Sequence, residues 1–287
     1  MEKERERLRE RARQLKRKRP HYGAILDFYV TVREAQITSK ASLKLDSTKL
    51  KEARLQSPTD EGISLLRKQD FPVDREASIS LFHALCRIGK TANPHMAEQA
   101  EKIEKSVRDN DLEKLLTGHV TEETIEHFAA NLGLDGRVLS FLIRNSIGPS
   151  IEAGMEQLRG ELDPEASLTT HCPVCSSLPS LNLLKGEAGK RYSLCSVCGY
   201  EWRINRVSCA VCGNKAPGTL QYFYGEGEEA CRIDLCDECH HYIKTIDYRN
   251  LEAPDPFLED LATLHLDVVA VEKGYERSVP NPGVPDK

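Results

Sequence analysis

The sequence predicts an α+β multidomain protein: an N-terminal all-α domain, two tandem rubredoxin-like or zinc-ribbon metal-binding modules, and a C-terminal helix. Three observations carry this. Apolar residues recur at helical spacing from about Tyr22 to Arg159; from His171 the chain turns to short β-like runs broken by Gly and by Cys-x-x-Cys pairs; after Tyr248 the helical period returns. The expected division is residues 1–20 as a basic helical extension, 21–165 as the all-α domain, 166–206 and 207–250 as the first and second ribbons, and 251–287 as the C-terminal helix and tail.

The head, MEKERERLRERARQLKRKRP, holds ten Lys/Arg against four Glu, and its Glu/Arg pairs at i,i+3 and i,i+4 suit a solvated helix. It has neither the apolar stretch of a secretory signal nor the Ser-rich, acid-poor composition of a mitochondrial presequence, so a cytoplasmic, reducing location is expected. Removing the head's +6 from the chain's net −5 leaves −11, a basic head on an acidic body.

Within the all-α half, one helix is expected to carry Ile25, Leu26, Tyr29 and Val32, and another, bounded by Pro72 and Pro94, to bury Ile79, Leu81, Phe82, Leu85 and Cys86. A third runs from Met96 to about Val107. A fourth starts at Thr121, whose hydroxyl can cap free amides while Glu122 and Glu123 sit in the first turn, and Asn131 and Gly133 stop it. Val138, Leu139, Phe141, Leu142 and Ile143 are apolar on most sides and predict a central helix, which Gly148-Pro149 should end or kink before a restart through Ile151, Met155 and Leu158. A linker follows near Glu161 to Thr170.

In the β-like region, Tyr222-Phe223-Tyr224 and the alternating Cys231, Ile233 and Leu235 read as strands, with Cys231 facing inward. Past Tyr248 a helix is expected to bury Phe257, Leu258, Leu261, Leu264, Val268, Val269 and Val271, and the tail SVPNPGVPDK to be irregular because its prolines forbid a helix. No run reaches the roughly 18 apolar residues of a membrane span, so no stable membrane insertion is expected.

The chemistry lies in the cysteines. Eight of the ten form four identical pairs, Cys172/Cys175, Cys195/Cys198, Cys209/Cys212 and Cys236/Cys239. Two cysteines spaced by two residues wrap a knuckle around one ion, and two knuckles complete a tetrahedral four-sulfur site. Gly199 and Gly213, each just after a second Cys, supply the permissive backbone such a turn needs. Between the first two knuckles lie 19 residues and between the last two 23, enough for a hairpin arm in each case, while only 10 separate Cys198 from Cys209. Chain-order pairing therefore gives one site from Cys172, Cys175, Cys195 and Cys198 and another from Cys209, Cys212, Cys236 and Cys239; a cross-braced pairing is the alternative. Two metal ions per chain are expected, iron or zinc, in closed sites with no open position for substrate. Four copies in hairpin surroundings do not fit a thioredoxin-like redox motif. Cys86 reads as core, His240 and His241 as exposed ribbon residues, and Trp202 as packing between the ribbons.

No Gly-rich phosphate loop, nucleophile elbow or HExxH motif is present, so no enzyme is expected. Residues 171–250 hold nine Lys/Arg and nine Asp/Glu, and two tetrathiolate sites with divalent ions would add about −2 each, which disfavours nucleic acid as a partner. A rubredoxin-like electron carrier and, behind it, a nucleic-acid-binding zinc ribbon are the alternatives. The large helical domain favours a protein-binding or assembly factor, with self-association left open.

The succession HCPVCSS, RYSLCSVCGYEWRINRVSCAVCGN, LCDECHHYIKTID and DPFLEDLATLHLDVVAVEKGYERSVPNPG, over roughly residues 170–283, resembles the formate dehydrogenase accessory protein family, FdhE. RPHYGAILDFY and RNSIGPSIEA in the helical half look similar but are less distinctive. The resemblance implies a non-enzymatic cytoplasmic chaperone that binds the catalytic subunit of respiratory formate dehydrogenase and serves its maturation before export. It also implies that the eight knuckle cysteines are the ligands of paired rubredoxin-like sites associated with iron. Ser176 departs from the pattern, where a Gly is more usual.

Overall fold

The computed structural model describes residues 1–45, 71–117, 120–166 and 168–279. The irregular tail expected at the C-terminus lies, beyond Val279, outside them. The helical half consists, among the described residues, of α1 (Glu2–Lys18), α2 (Gly23–Lys40), α3 (Arg75–Gly89), α4 (Pro94–Ser106), α5 (Asp109–Leu115), α6 (Glu122–Asn131) and α7 (Gly136–Leu158). Short polar side chains start several of them. Asp74 accepts from Ala77 N at 3.1 Å, Asn93 from Met96 N at 2.8 Å, and Thr121 from Thr124 N at 3.2 Å, each satisfying an amide that the first turn leaves free. The short α5 was not evident from the sequence.

Two expectations for this half change. The basic head is not a free extension: α1 buries Leu8, Ala12 and Leu15 against Leu26 and Tyr29 of α2, and Arg11 forms a buried ion pair with Glu259. The central helix neither ends nor restarts at Gly148-Pro149, because α7 runs unbroken for 23 residues with Pro149 inside it. Proline lacks the amide that would bond the carbonyl four residues back, that of Asn145. Gln36 of α2 supplies the missing donor, its Nε2 lying 2.9 Å from Asn145 O and 3.0 Å from Asn145 Oδ1. Arg33 Nη1 holds the Gln36 side-chain carbonyl oxygen at 2.9 Å, which fixes the amide's orientation. A tertiary contact thus replaces the lost helical bond.

The β region is one sheet of seven strands: β1 (Pro179–Lys185), β2 (Lys190–Cys195), β3 (Glu201–Arg203), β4 (Leu220–Tyr224), β5 (Cys231–Cys236), β6 (His241–Asp247) and β7 (Glu276–Arg277). Its order is β3-β2-β1-β6-β5-β4, with β7 pairing β6. The two expected hairpin arms are present and fused: β1 runs parallel to β6, with Leu181 opposite Lys244 and Leu183 opposite Ile246. Arg191 bolts the junction. Its buried guanidinium donates to Ser208 O at 2.7 Å and to Asp234 Oδ2 at 3.0 Å, tying β2 to the residue before Cys209 and to β5.

The C-terminal helix is two short helices, α8 (Pro256–Leu261) and α9 (Leu264–Glu272). The break at Ala262-Thr263 changes the helical phase, so the buried face is Leu258, Leu261, Leu266 and Ala270, while Val268 and Val271, expected inside, are 50% and 61% exposed. A buried lysine sits at the break. Lys244 Nζ donates to Asp260 O at 3.0 Å and Thr263 O at 3.2 Å, and pairs with Asp260 Oδ1 at 2.7 Å and Asp267 Oδ2 at 2.6 Å. Arg277 closes the network on both carboxylates, at 2.7 Å and 2.9 Å. A cation placed on the last carbonyls of α8 complements the helix end and stops it there. α8 packs on α1 and α2, whereas α9 packs on the sheet. Among the described residues no helix is long and apolar enough to cross a membrane.

Candidate metal centres

The Cys-x-x-Cys knuckles share a backbone wiring of two bonds, both present at Cys172 and Cys209 and one of them at each of Cys195 and Cys236. The N–H of the first cysteine donates to the carbonyl five residues on, in Cys172 to Ser177 (2.9 Å), Cys195 to Tyr200 (2.9 Å) and Cys209 to Asn214 (2.8 Å). The carbonyl of the first cysteine accepts from the residue after the second, in Ser176 (2.8 Å), Gly213 (3.1 Å) and His240 (2.9 Å). The turn leaves the residue after the second cysteine in the left-handed region at all four knuckles: Ser176 at φ 55°, Gly199 at 66°, Gly213 at 77° and His240 at 54°. The role expected of Gly199 and Gly213 is thus a requirement of the knuckle, which Ser176 and His240 meet against a steric cost.

The turns aim the sulfurs inward. Cys172, Cys175, Cys195 and Cys198 form one group and Cys209, Cys212, Cys236 and Cys239 another, the four sulfurs of each lying within 4.8 Å of one another. This is the chain-order grouping and not the cross-braced one. In the first group Cys175 Sγ lies 3.4 Å from Cys195 Sγ and 3.6 Å from Cys198 Sγ, with Cys172 and Cys198 3.6 Å apart. In the second, Cys209 to Cys239 and Cys212 to Cys236 are both 3.8 Å. A tetrahedron with metal–sulfur bonds of about 2.3 Å has edges of about 3.8 Å, so each group fits one tetrahedral ion. All ten cysteines are free of disulfides.

Thiols this close cannot all ionise alone. Hydrogen bonds from Cys172, Cys195 and Cys198 hold the Cys175 thiol far below its ordinary value, and the same sharing drives Cys172 and Cys198 far above theirs. A cation in place of the shared protons removes that conflict. In the second group burial opposes ionisation of Cys236, yet the amides of Cys239 and Glu238 and the Asn214 side chain draw it down to about 7. Backbone amides also reach the thiolate positions directly, from Val197 to Cys195 Sγ at 3.4 Å and from Val211 to Cys209 Sγ at 3.3 Å.

The two groups differ in setting. All four cysteines of the first are buried, in one apolar cluster with Val174, Trp202, Ile204 and the helical residues Val138, Phe141 and Met155. In the second, Cys209 and Cys236 are buried, Cys239 is half-buried and Cys212 is exposed. A groove of about 370 Å³ lined by Cys209, Val211, Tyr222 and Cys236 runs beside it.

The remaining expectations sort as follows. Cys86 and Cys231 are buried away from both groups, and burial pushes each thiol up to about 12, which keeps them protonated. His240 is exposed, and His241 is half-buried with Nδ1 2.7 Å from Cys239 O. Trp202 is fully buried in the core that joins the first group to the helices, and its indole N–H donates to Thr169 O at 2.8 Å, so the linker is pinned to the first module. The Lys244 network was not anticipated: a lone Lys in HYIKTID reads as an outward strand residue, and only Asp260 and Asp267, set among the apolar residues of the C-terminal helical stretch, hint at a partner inside.

Comparison with known proteins agrees with this architecture. The FdhE central-domain model matches residues 171–206, and the FdhE C-terminal-domain model matches residues 207–284. A protein FdhE homolog of Aquifex aeolicus is 28% identical over 278 residues, 96% of this chain and 93% of that relative. Another, from Edwardsiella ictaluri, is 37% identical over 130 residues, 44% of this chain and 42% of its own length. The crystal structure of the FdhE protein from Pseudomonas aeruginosa superposes with a TM-score of 0.72 at 23% identity, over 97% of this chain and 94% of that one, and shares the fold.

Proposed function

We propose, from the premise that this chain belongs to the FdhE family, that it is an accessory protein of formate dehydrogenase: it binds the enzyme's catalytic subunit in the cytoplasm and serves its maturation, without a catalytic role of its own. The observation that carries the reading is the pair of four-cysteine groups on one sheet joined to a large helical body. In this reading Cys172, Cys175, Cys195 and Cys198 hold one iron or zinc ion, and Cys209, Cys212, Cys236 and Cys239 a second. A bound ion supplies a closed clamp whose binding energy is folding energy. The chain's own residues do the rest: the knuckle amides orient the thiolates, Arg191 holds the two modules in register, and the helices buttress the rigid surface on which the catalytic subunit docks. The domain division given above belongs to the same proposal, with the two ribbons as one docking unit.

The test is capture of the formate dehydrogenase catalytic subunit by the full chain, purified without air and analysed for metal. Two ions per chain with capture, and loss of both capture and one ion in Cys195→Ser, are expected. Undiminished capture and metal content in Cys195→Ser would overturn the reading. Iron-loaded protein that captures no catalytic subunit would favour the electron carrier instead.

A further inference from the structure

We propose that the second cysteine group is an exchange site, whose ion enters and leaves by ligand substitution at Cys212 with an external thiolate or chelator as the incoming ligand, whereas the ion of the first group is locked in place. This rests on reading both groups as metal ligands and adds a difference in behaviour between them.

Access separates the two. The first group's cysteines are 1% to 4% exposed and share an apolar cluster with Val174, Trp202 and Ile204, so an incoming ligand reaches them only when that core opens. The second group presents Cys212 to solvent, and the 370 Å³ groove reaches Cys209 and Cys236 from beside β4 and β5.

Within the second group Cys212 is the most exposed cysteine and the one with no amide donor, since the half-buried Cys239 faces the backbone amide of His241. Cys209 Sγ accepts from the amides of Val211 at 3.3 Å and Cys212 at 3.5 Å, and Cys236 Sγ faces the Asn214 amide at 3.7 Å. Among the described residues Cys212 Sγ has only other sulfurs as hydrogen-bonding neighbours. Donors to a bound thiolate strengthen its hold on the metal, so the ligand without them dissociates first. The incoming sulfur or nitrogen donor forms its bond to the ion as the bond to Cys212 breaks, and the Cys212 thiolate then takes a proton from water. No electron is transferred.

The experiment uses the full chain loaded with two zinc ions and mixed with excess 4-(2-pyridylazo)resorcinol, with release followed by absorbance. Pulses of N-ethylmaleimide and mass spectrometry identify the cysteines freed in each phase. One zinc per chain is expected to leave about ten times faster than the other or more, the scale on which ligand-supporting partners alter metal affinity. Fast-phase alkylation should fall on Cys209, Cys212, Cys236 and Cys239, and Cys212→His should change the fast rate alone. Equal release rates, early alkylation at Cys172, Cys175, Cys195 or Cys198, or an unchanged fast rate in Cys212→His would overturn the exchange proposal while leaving two metal sites standing. A chain that takes up fewer than two zinc ions would overturn the two-site reading beneath it.

Discussion

The two four-cysteine groups are built from the same knuckle, with the same Cys-x-x-Cys spacing and nearly the same sulfur geometry, yet one lies inside a hydrophobic core and the other presents Cys212 to solvent. Local sequence makes the knuckle; what surrounds it decides whether an ion there is a keystone or a replaceable part. The first group closes the seam between helices and sheet. The second closes only the hairpin β5–β6 and the loop before β4, and its loss leaves the helical core its own contacts.

That contrast is broken most forcefully at the first group. Cys198→Ser should remove one ion and most of the folding energy it brings, which for structural zinc is on the order of 10 kcal/mol, and should lower the cooperative thermal transition of the helices along with the sheet. Cys212→Ser should leave the helical transition in place. Circular dichroism melts of the two variants decide the point, and equal damage to the helices would erase the distinction.

A smaller effect separates the fused sheet from its parts. Asp260→Asn leaves the two buried cations Lys244 and Arg277 to share the single carboxylate of Asp267 and should cost about 3 kcal/mol in denaturant unfolding. Burial alone would raise the Asp260 carboxyl, but Arg277 and Lys244 hold it below the usual carboxylate range. With the folded value depressed, its contribution to stability is fully present above about pH 4 and is lost as pH falls through the folded value. Wild-type stability should therefore drop more steeply below pH 4 than that of Asp260→Asn.

In the helical half, Gln36→Leu should cost about 1–3 kcal/mol by removing the donor to the Asn145 carbonyl, and adding Pro149→Ala, which restores a helical amide, should recover part of it. Additive losses in that double-mutant cycle would show that the glutamine is not there for the proline. The smallest effects lie at the knuckles. Gly213→Ala should destabilise by about 1 kcal/mol and His240→Gly should stabilise by a similar amount, since both positions are left-handed. Thermal melts of the metal-loaded proteins measure both.

Much of this was legible in the sequence because its cause is local. Identical Cys-x-x-Cys spacing dictates the knuckles, and the 19- and 23-residue arms favour the chain-order pairing over the cross-braced one. Thr121 as a cap and the buried faces of α2 and α3 follow from short-range periodicity in the same way. What escaped is set by contacts distant in sequence. Pro149 argues for a break until Gln36, 113 positions earlier, fills the gap it leaves. Lys244 argues for an outward strand residue until the carbonyls at the end of α8 receive it, and Val268 and Val271 argue for burial until that same break turns the helix. The parallel pairing of β1 with β6 joins strands more than 50 residues apart, and no local pattern announces it.

The most direct test of the central claim is amide hydrogen exchange during stepwise zinc loading of the metal-free chain, with the ion assigned to each group by cysteine alkylation. Filling the first group should raise protection in α7 and around Trp202 as well as in the knuckles, and filling the second should raise it only between Cys209 and Asp247. Protection of α7 that does not change when the first group fills would contradict the claim that this centre belongs to the helical core.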